Sequence, residues 1–189
     1  MPGWVRDWCR KSGRELFLHR LPASVPGHRP ESARLLTEIV ASAAEAVLVI
    51  PPRADGGAAT NVTAALHDLP DGTAVLAAAV DAAHHLGRPL VLTHGLPISF
   101  AERSVGLRSA LDHARRLLTT AEERVGDDAP DIRIVTRLVR AHPHELVGEY
   151  VDTGLLVVGG ARCRMPDDLG LVARSALNHA TCPLLVVPR

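Results

Sequence analysis

The sequence is poor in aromatic residues, has no net charge and contains no long apolar run. Each shortage closes off a class of function. Aromatics make up 3% of its 189 residues, too few to build the stacking platforms that hold single-stranded nucleic acid. Lysine plus arginine number 21, as do aspartate plus glutamate, and the two signs are interspersed. No basic face is therefore expected for a nucleic acid or an anionic membrane. Nearly all the positive charge is arginine, as GC-rich coding would produce. Cys9, Cys163 and Cys182 are an odd set without CxxC spacing, which argues against a disulfide framework or structural zinc and for a reducing compartment. No apolar run approaches bilayer-spanning length, and MPGWVRDWCRKSGRE lacks the apolar stretch of a secretory signal. The expectation is a soluble, cytoplasmic protein.

Apolar residues are 47% of the chain, enough to bury a core. The most informative stretch is Gly154 to Arg189, GLLVVGGARCRMPDDLGLVARSALNHATCPLLVVPR. Leu155 to Val158 is an unbroken apolar run, as expected of a strand buried on both faces of a parallel sheet. Gly159 and Gly160 end it and permit a sharp turn or a close backbone approach. A polar loop, Ala161 to Asp168, leads to a helix over Leu169 to His179 with Leu169, Val172, Ala173, Ala176 and Leu177 on one face. Thr181-Cys182-Pro183 stops the helix, and Leu184 to Val187 is a second buried strand. Such right-handed crossover units bind ligands at the carboxyl ends of their strands, which places a small-molecule site over Gly159.

The remaining elements follow from the same periodicities. Residues 1–13 predict a short helix with Trp4 and Trp8 one turn apart, and Glu15 to Leu21 a strand. Pro30 to Ala44 predicts an amphipathic helix with Leu35, Leu36, Ile39 and Val40 inward. Ala46 to Ile50 reads as a strand, and Arg53 to Thr60 has linker composition. From Asn61 the alternation is regular: a strand over Val62 to Leu66, a helix over Thr73 to Leu86 ended by Gly87, and a strand over Pro89 to Thr93. A long helix over Phe100 to Val125 follows, then an edge strand over Ile132 to Val139 and a helix over Pro143 to Val151. This βαβαβαβαβ order demands a parallel sheet with helices on both faces.

The quoted residues also carry a family likeness. Leu155 to Gly159, Gly170, Arg174, His179-Ala180 and Cys182 to Val187 resemble the C-terminal half of a universal stress protein (UspA-type) domain. Those domains end in LLVVG, a loop patterned G-x2-G-x9-G-[ST], a helix and a strand introduced by CP. PDGTAVLAAAVDAAHHLGRPLVLTHG is similar to that family's first helix and second strand. The resemblance covers about two-thirds of the chain. It implies a Rossmann-like fold of the adenine nucleotide alpha hydrolase-like type, with a five-stranded parallel sheet in the order 3-2-1-4-5. The domain runs over residues 61–189, and residues 1–57 form an N-terminal βαβ extension. Residues 15–52 also share a strand-loop-helix-strand plan with residues 131–161. The extension then reads either as an eroded fragment of a first such domain or as an unrelated unit added to one sheet edge.

In nucleotide-binding members of the family the glycine loop wraps phosphates at a helix N-terminus, where backbone amides and the dipole favour anions. What the resemblance implies for this chain is a cofactor-binding set of Gly159, Gly160, Arg162, Gly170, His67 and Asp68, with ATP or AMP as the ligand. The motif is altered at both ends. Arg162 stands where the second glycine belongs, the loop to Gly170 is two residues short, and Leu171 replaces the Ser/Thr donor. Asp167 and Asp168 would repel phosphate, though they also suit helix capping, while Arg162 and Arg164 could hold it. His67 takes the place of the family's base-contacting acid, with Asp68 one residue late. The expectation is a non-enzymatic stress-response and signalling module with a degenerate pocket, and ATP/AMP binding is the alternative. There is no HExxH, no paired Cys/His spacing and no GxSxG elbow, so neither a metal nor a catalytic residue is assigned. An enzyme of another α/β class using His67 and His94 is a third reading. Cys163, flanked by Arg162 and Arg164, is a weak redox candidate. Family members pair their last strand across a two-fold axis, which implies a homodimer through Leu184 to Val187. Alternatively residues 15–52 cover that edge within one chain.

Overall fold

Among the described residues, the short apolar runs supply most of the seven strands of one sheet. The structure, a computed structural model, describes residues 17–20, 31–51, 60–70, 72–96, 106–149, 153–160 and 169–188. The expected Trp4/Trp8 helix lies outside them. In chain order the elements are β1 (Phe17–Arg20), α1 (Glu31–Ser42), β2 (Val47–Ile50), β3 (Val62–Ala65), α2 (Thr73–Leu86) and β4 (Leu90–Gly95). Then come α3 (Gly106–Asp128), β5 (Ile134–Val139), α4 (Pro143–Glu149), β6 (Leu155–Gly159), α5 (Leu171–His179) and β7 (Leu184–Val187).

The sheet order is β1-β2-β7-β6-β3-β4-β5. From β3 onward all pairings are parallel, and β5-β4-β3-β6-β7 is the expected 3-2-1-4-5 arrangement. Side chains alternate between two faces. On one, Leu48, Val62, Ala64, Leu155, Val157 and Leu185 pack with the buried faces of α2 and α3. On the other, Val47, Val49, Leu156, Val158, Leu184 and Val186 pack against Leu36 and Val40 of α1, Val147 of α4, and Ala173 and Ala176 of α5. Small residues on α2, Ala78, Ala79, Ala82 and Ala83, are nearly fully buried and let that helix lie close on the sheet. Gly87 closes α2 in the left-handed region (φ 60°), its amide donating to Ala83 and His84 carbonyls, as a C-terminal glycine should. In α1 the inward face is narrower than expected: Leu36 is 2% and Val40 6% exposed, but Leu35 is 52% exposed. Leu35 and Leu36 point about 100° apart on a helix, so both cannot centre the same stripe.

The N-terminal extension joins the sheet at its β7 side. β1 pairs parallel with β2, and β2 pairs antiparallel with β7, Leu48 facing Leu185. The edge of Leu184 to Val187, expected to meet a second copy, is thus hydrogen-bonded to β2 of its own chain. The expected likeness of residues 15–52 to residues 131–161 meets a topological difference. β3 and β4 separate β5 from β6, whereas β1 and β2 are neighbours. Among the described residues the outermost strands are β1 and β5, and β5 exposes Thr136 and Arg137 as an edge strand does.

Candidate functional site

The carboxyl ends of β3 and β6 diverge around a cleft of about 100 Å³. Its polar rim is His67 and Asp68, which follow β3; its far wall is Gly159, Gly160 and Gly170, between β6 and α5. Five of the six expected site residues therefore converge. Arg162 lies outside the described residues, as do Cys163, Arg164, Asp167 and Asp168. Much of the lining is apolar: Leu66, Val75, Leu146, Leu171 and Val172. A search for phosphate donors in the sequence passes over these residues. Their positions were a usable signal, since Leu66 follows β3 directly and Leu171 sits at the Ser/Thr position.

The backbone at the glycine turn is committed elsewhere. Gly160 N–H donates to the Val187 carbonyl at 2.8 Å, and Gly170 N–H to the Gly160 carbonyl at 3.3 Å. Neither is left to face an anion. Among the described residues only Gly87 has a positive φ, so the pair Gly159-Gly160 does not serve a left-handed turn. Gly160 is small because of its neighbours: a Cβ there would stand 3.3 Å from the Val187 carbonyl oxygen and 3.4 Å from Val186 Cγ1. Helix α5 begins without a side-chain cap, and Leu171, 62% exposed, has no group to donate. Across the cleft, a Cβ on Gly72 would collide with the Asp68 carbonyl oxygen. The turn carrying Asp68 into α2 is therefore tightly closed.

The two histidines on the ligand side come together, with parallel rings and centroids 6.5 Å apart. Their environments differ. His67 is exposed at the rim. His94 is 7% exposed, and its Nδ1–H donates to the Leu66 carbonyl at 2.8 Å, fastening β4 to the segment that presents His67. Burial lowers the pKa of His94; the hydrogen bond to Leu66 opposes this, and His67 and His113 reinforce it by repulsion. The ring is thus neutral near pH 7 and already occupied in holding backbone. Two other histidines lie in local contacts within or beside helices. His85 sits 3.1 Å from Asp81 within α2. The His142 amide donates to Glu145 Oε2 at 3.0 Å, closing the start of α4 in capping-box fashion. Among the described residues no group of three or more His, Cys, Asp or Glu could hold a metal ion, and no helix is long and apolar enough to cross a membrane.

Comparison with known proteins gives this geometry a setting. The sequence model of the universal stress protein family matches residues 58–188. A universal stress protein from Archaeoglobus fulgidus in complex with dAMP is similar at 20% identity and TM-score 0.55, over 69% of this chain and 99% of its own. A universal stress protein in complex with cAMP is similar at 18% identity and TM-score 0.57, over 69% of this chain and 98% of its own. A longer one, from Archaeoglobus fulgidus DSM 4304, matches at 14% identity and TM-score 0.61, over 98% of this chain but 65% of its own. In that longer relative the likeness extends into β1–α1–β2. At these identities the structural matches establish the fold. Curated protein sequences give no match.

Proposed function

Since the chain belongs to the universal stress protein family, we propose that it acts as a non-enzymatic stress-response and signalling module of the cytoplasm, with a nucleotide pocket reduced below working affinity. One observation carries the reading: the glycine-turn amides that would receive a phosphate, those of Gly160 and Gly170, are spent on Val187 and Gly160. An anion at this turn would have to displace those bonds, and a buried amide or carbonyl left without a partner costs about 1–3 kcal/mol. Leu171 adds an apolar side chain where the family offers a hydroxyl. ATP and AMP therefore do not fit the residues described. His94, held by Leu66, is removed from any acid–base role, which weakens the enzyme reading based on His67 and His94.

A second reading draws on the relatives in complex with dAMP and cAMP. Here Gly159, Arg162 and Gly170 surround the phosphates of ATP or AMP, and His67 or Asp68 meets the base. Titration calorimetry with ATP and with AMP separates the two. The first reading expects no saturable heat at micromolar ligand. Saturable heat that disappears in Gly159→Val establishes the second and refutes the first.

A further inference from the structure

A groove of about 390 Å³ lies between α2 and the C-terminal end of α3. It has no lining residue in common with the cleft at the glycine turn, so what it binds is independent of whether a nucleotide binds there. Its volume falls within the range of small-molecule sites, roughly 300–1,000 Å³. The cleft, at about 100 Å³, does not reach that range. The floor of the groove is the outer layer of the core. Leu76 is 6% and Val125 1% exposed, and Val80, one turn beyond Leu76, packs against the same cluster. The walls are charged: Asp81 of α2 stands on one side, and Arg124 and Asp128 of α3 on the other.

Arg124 and Asp128 stand one turn apart, the spacing at which opposite charges pair along a helix. They do not pair. Among the described residues the ion pairs are His85–Asp81 and Arg115–Asp112. An exposed guanidinium and an exposed carboxylate are thus uncommitted beside an apolar floor. Asp128 is also the last residue of α3, and no basic residue lies in that last turn. The helix dipole already places partial negative charge there, so a cation is favoured at this end of the groove. An anion is favoured at Arg124, and apolar surface on the floor. We propose that the groove is a second binding site, for a small zwitterion with an apolar side chain, the chemistry of an apolar α-amino acid. The ammonium meets Asp128 and Asp81, the carboxylate takes the Arg124 guanidinium as a fork, and the side chain covers Leu76 and Val80. Each wall charge is at least partly exposed and contributes little alone. Selectivity comes from the two signs and the apolar floor acting on one ligand.

The test titrates the full isotope-labelled chain with L-leucine and follows its backbone amides by NMR. Saturable shifts should appear in the lining segments of α2 and α3 at roughly millimolar leucine. Leucinamide, which lacks the carboxylate, and N-acetyl-leucine, which lacks the ammonium, should each bind about three- to fivefold more weakly. Arg124→Gln should weaken leucine by a similar factor and leave leucinamide no weaker. Asp128→Asn should weaken leucine in the same way and leave N-acetyl-leucine no weaker. Both positions are exposed, so the ligand-free spectra of the variants should match wild type away from the substitution. Three results would overturn the proposal: no saturable shift up to about 10 mM leucine, equal affinity for the three compounds, or shifts centred on His67, Gly159 and Gly170 instead of the groove.

Discussion

His94→Asn separates a buried histidine that holds backbone from one poised for chemistry. The ring is 7% exposed and donates to Leu66 at 2.8 Å. Its folded-state pKa is depressed, chiefly by burial, while in the unfolded chain it titrates near about 6.5. Above that pH both states are neutral, and titration of His94 favours neither. As pH falls through about 6.5, the unfolded state gains a proton that the folded state refuses. Stability is then lost at up to about 1.4 kcal/mol per pH unit, until the folded imidazole titrates as well. Asparagine places an amide near the position of Nδ1 and can keep the bond to Leu66, but it cannot titrate. Urea unfolding of both proteins near neutrality should differ only by the packing lost with the ring, about 1–2 kcal/mol. Between about pH 6.5 and 5.5 wild type should then fall more steeply than His94→Asn, narrowing the gap by up to about 1.4 kcal/mol. Histidines other than His67 and His113, which face the ring, are common to both and cancel. His94→Leu, which offers no donor, should cost a further 1–3 kcal/mol or so at neutral pH, because the Leu66 carbonyl is left unpaired. Parallel pH profiles for wild type and His94→Asn would refute the reasoning.

Two further substitutions probe the frame that presents the cleft. Gly87→Ala forces a side chain into the left-handed region at φ 60° and should destabilise by about 1–2 kcal/mol, measured as a lower urea midpoint with unchanged slope. Leu156→Ala empties a fully buried position on β6. It should cost about 2–5 kcal/mol by the same measurement, and a loss under about 1 kcal/mol would mean that the core there collapses around the gap.

Order along the chain was legible where structure is local. The run Leu155 to Val158, the stop at Gly87 and the alternation from Asn61 each state their element in a few neighbouring residues. The five-strand order then follows from crossover rules. Two matters depended on residues distant in sequence. Which face Leu35 takes is set by the sheet it meets, not by its own apolarity. The use of Gly160 is set by Val187, whose carbonyl takes its amide. The motif located the turn correctly, but hydrogen-bond commitments across strands decide whether it can serve a ligand. The same holds for the extension. Its helix and strand resemble several others in the chain, and only the pairing of Leu48 with Leu185 shows which edge of the sheet it joins.

Eleven residues, 51–61, connect β2 to β3. That leash makes the meeting of β2 with β7 a unimolecular event. Strands on separate chains part when the protein is scarce, but a connection this short keeps its two ends at an effective concentration of about millimolar order. This junction should therefore be as complete when a cell makes a few copies as when it makes thousands.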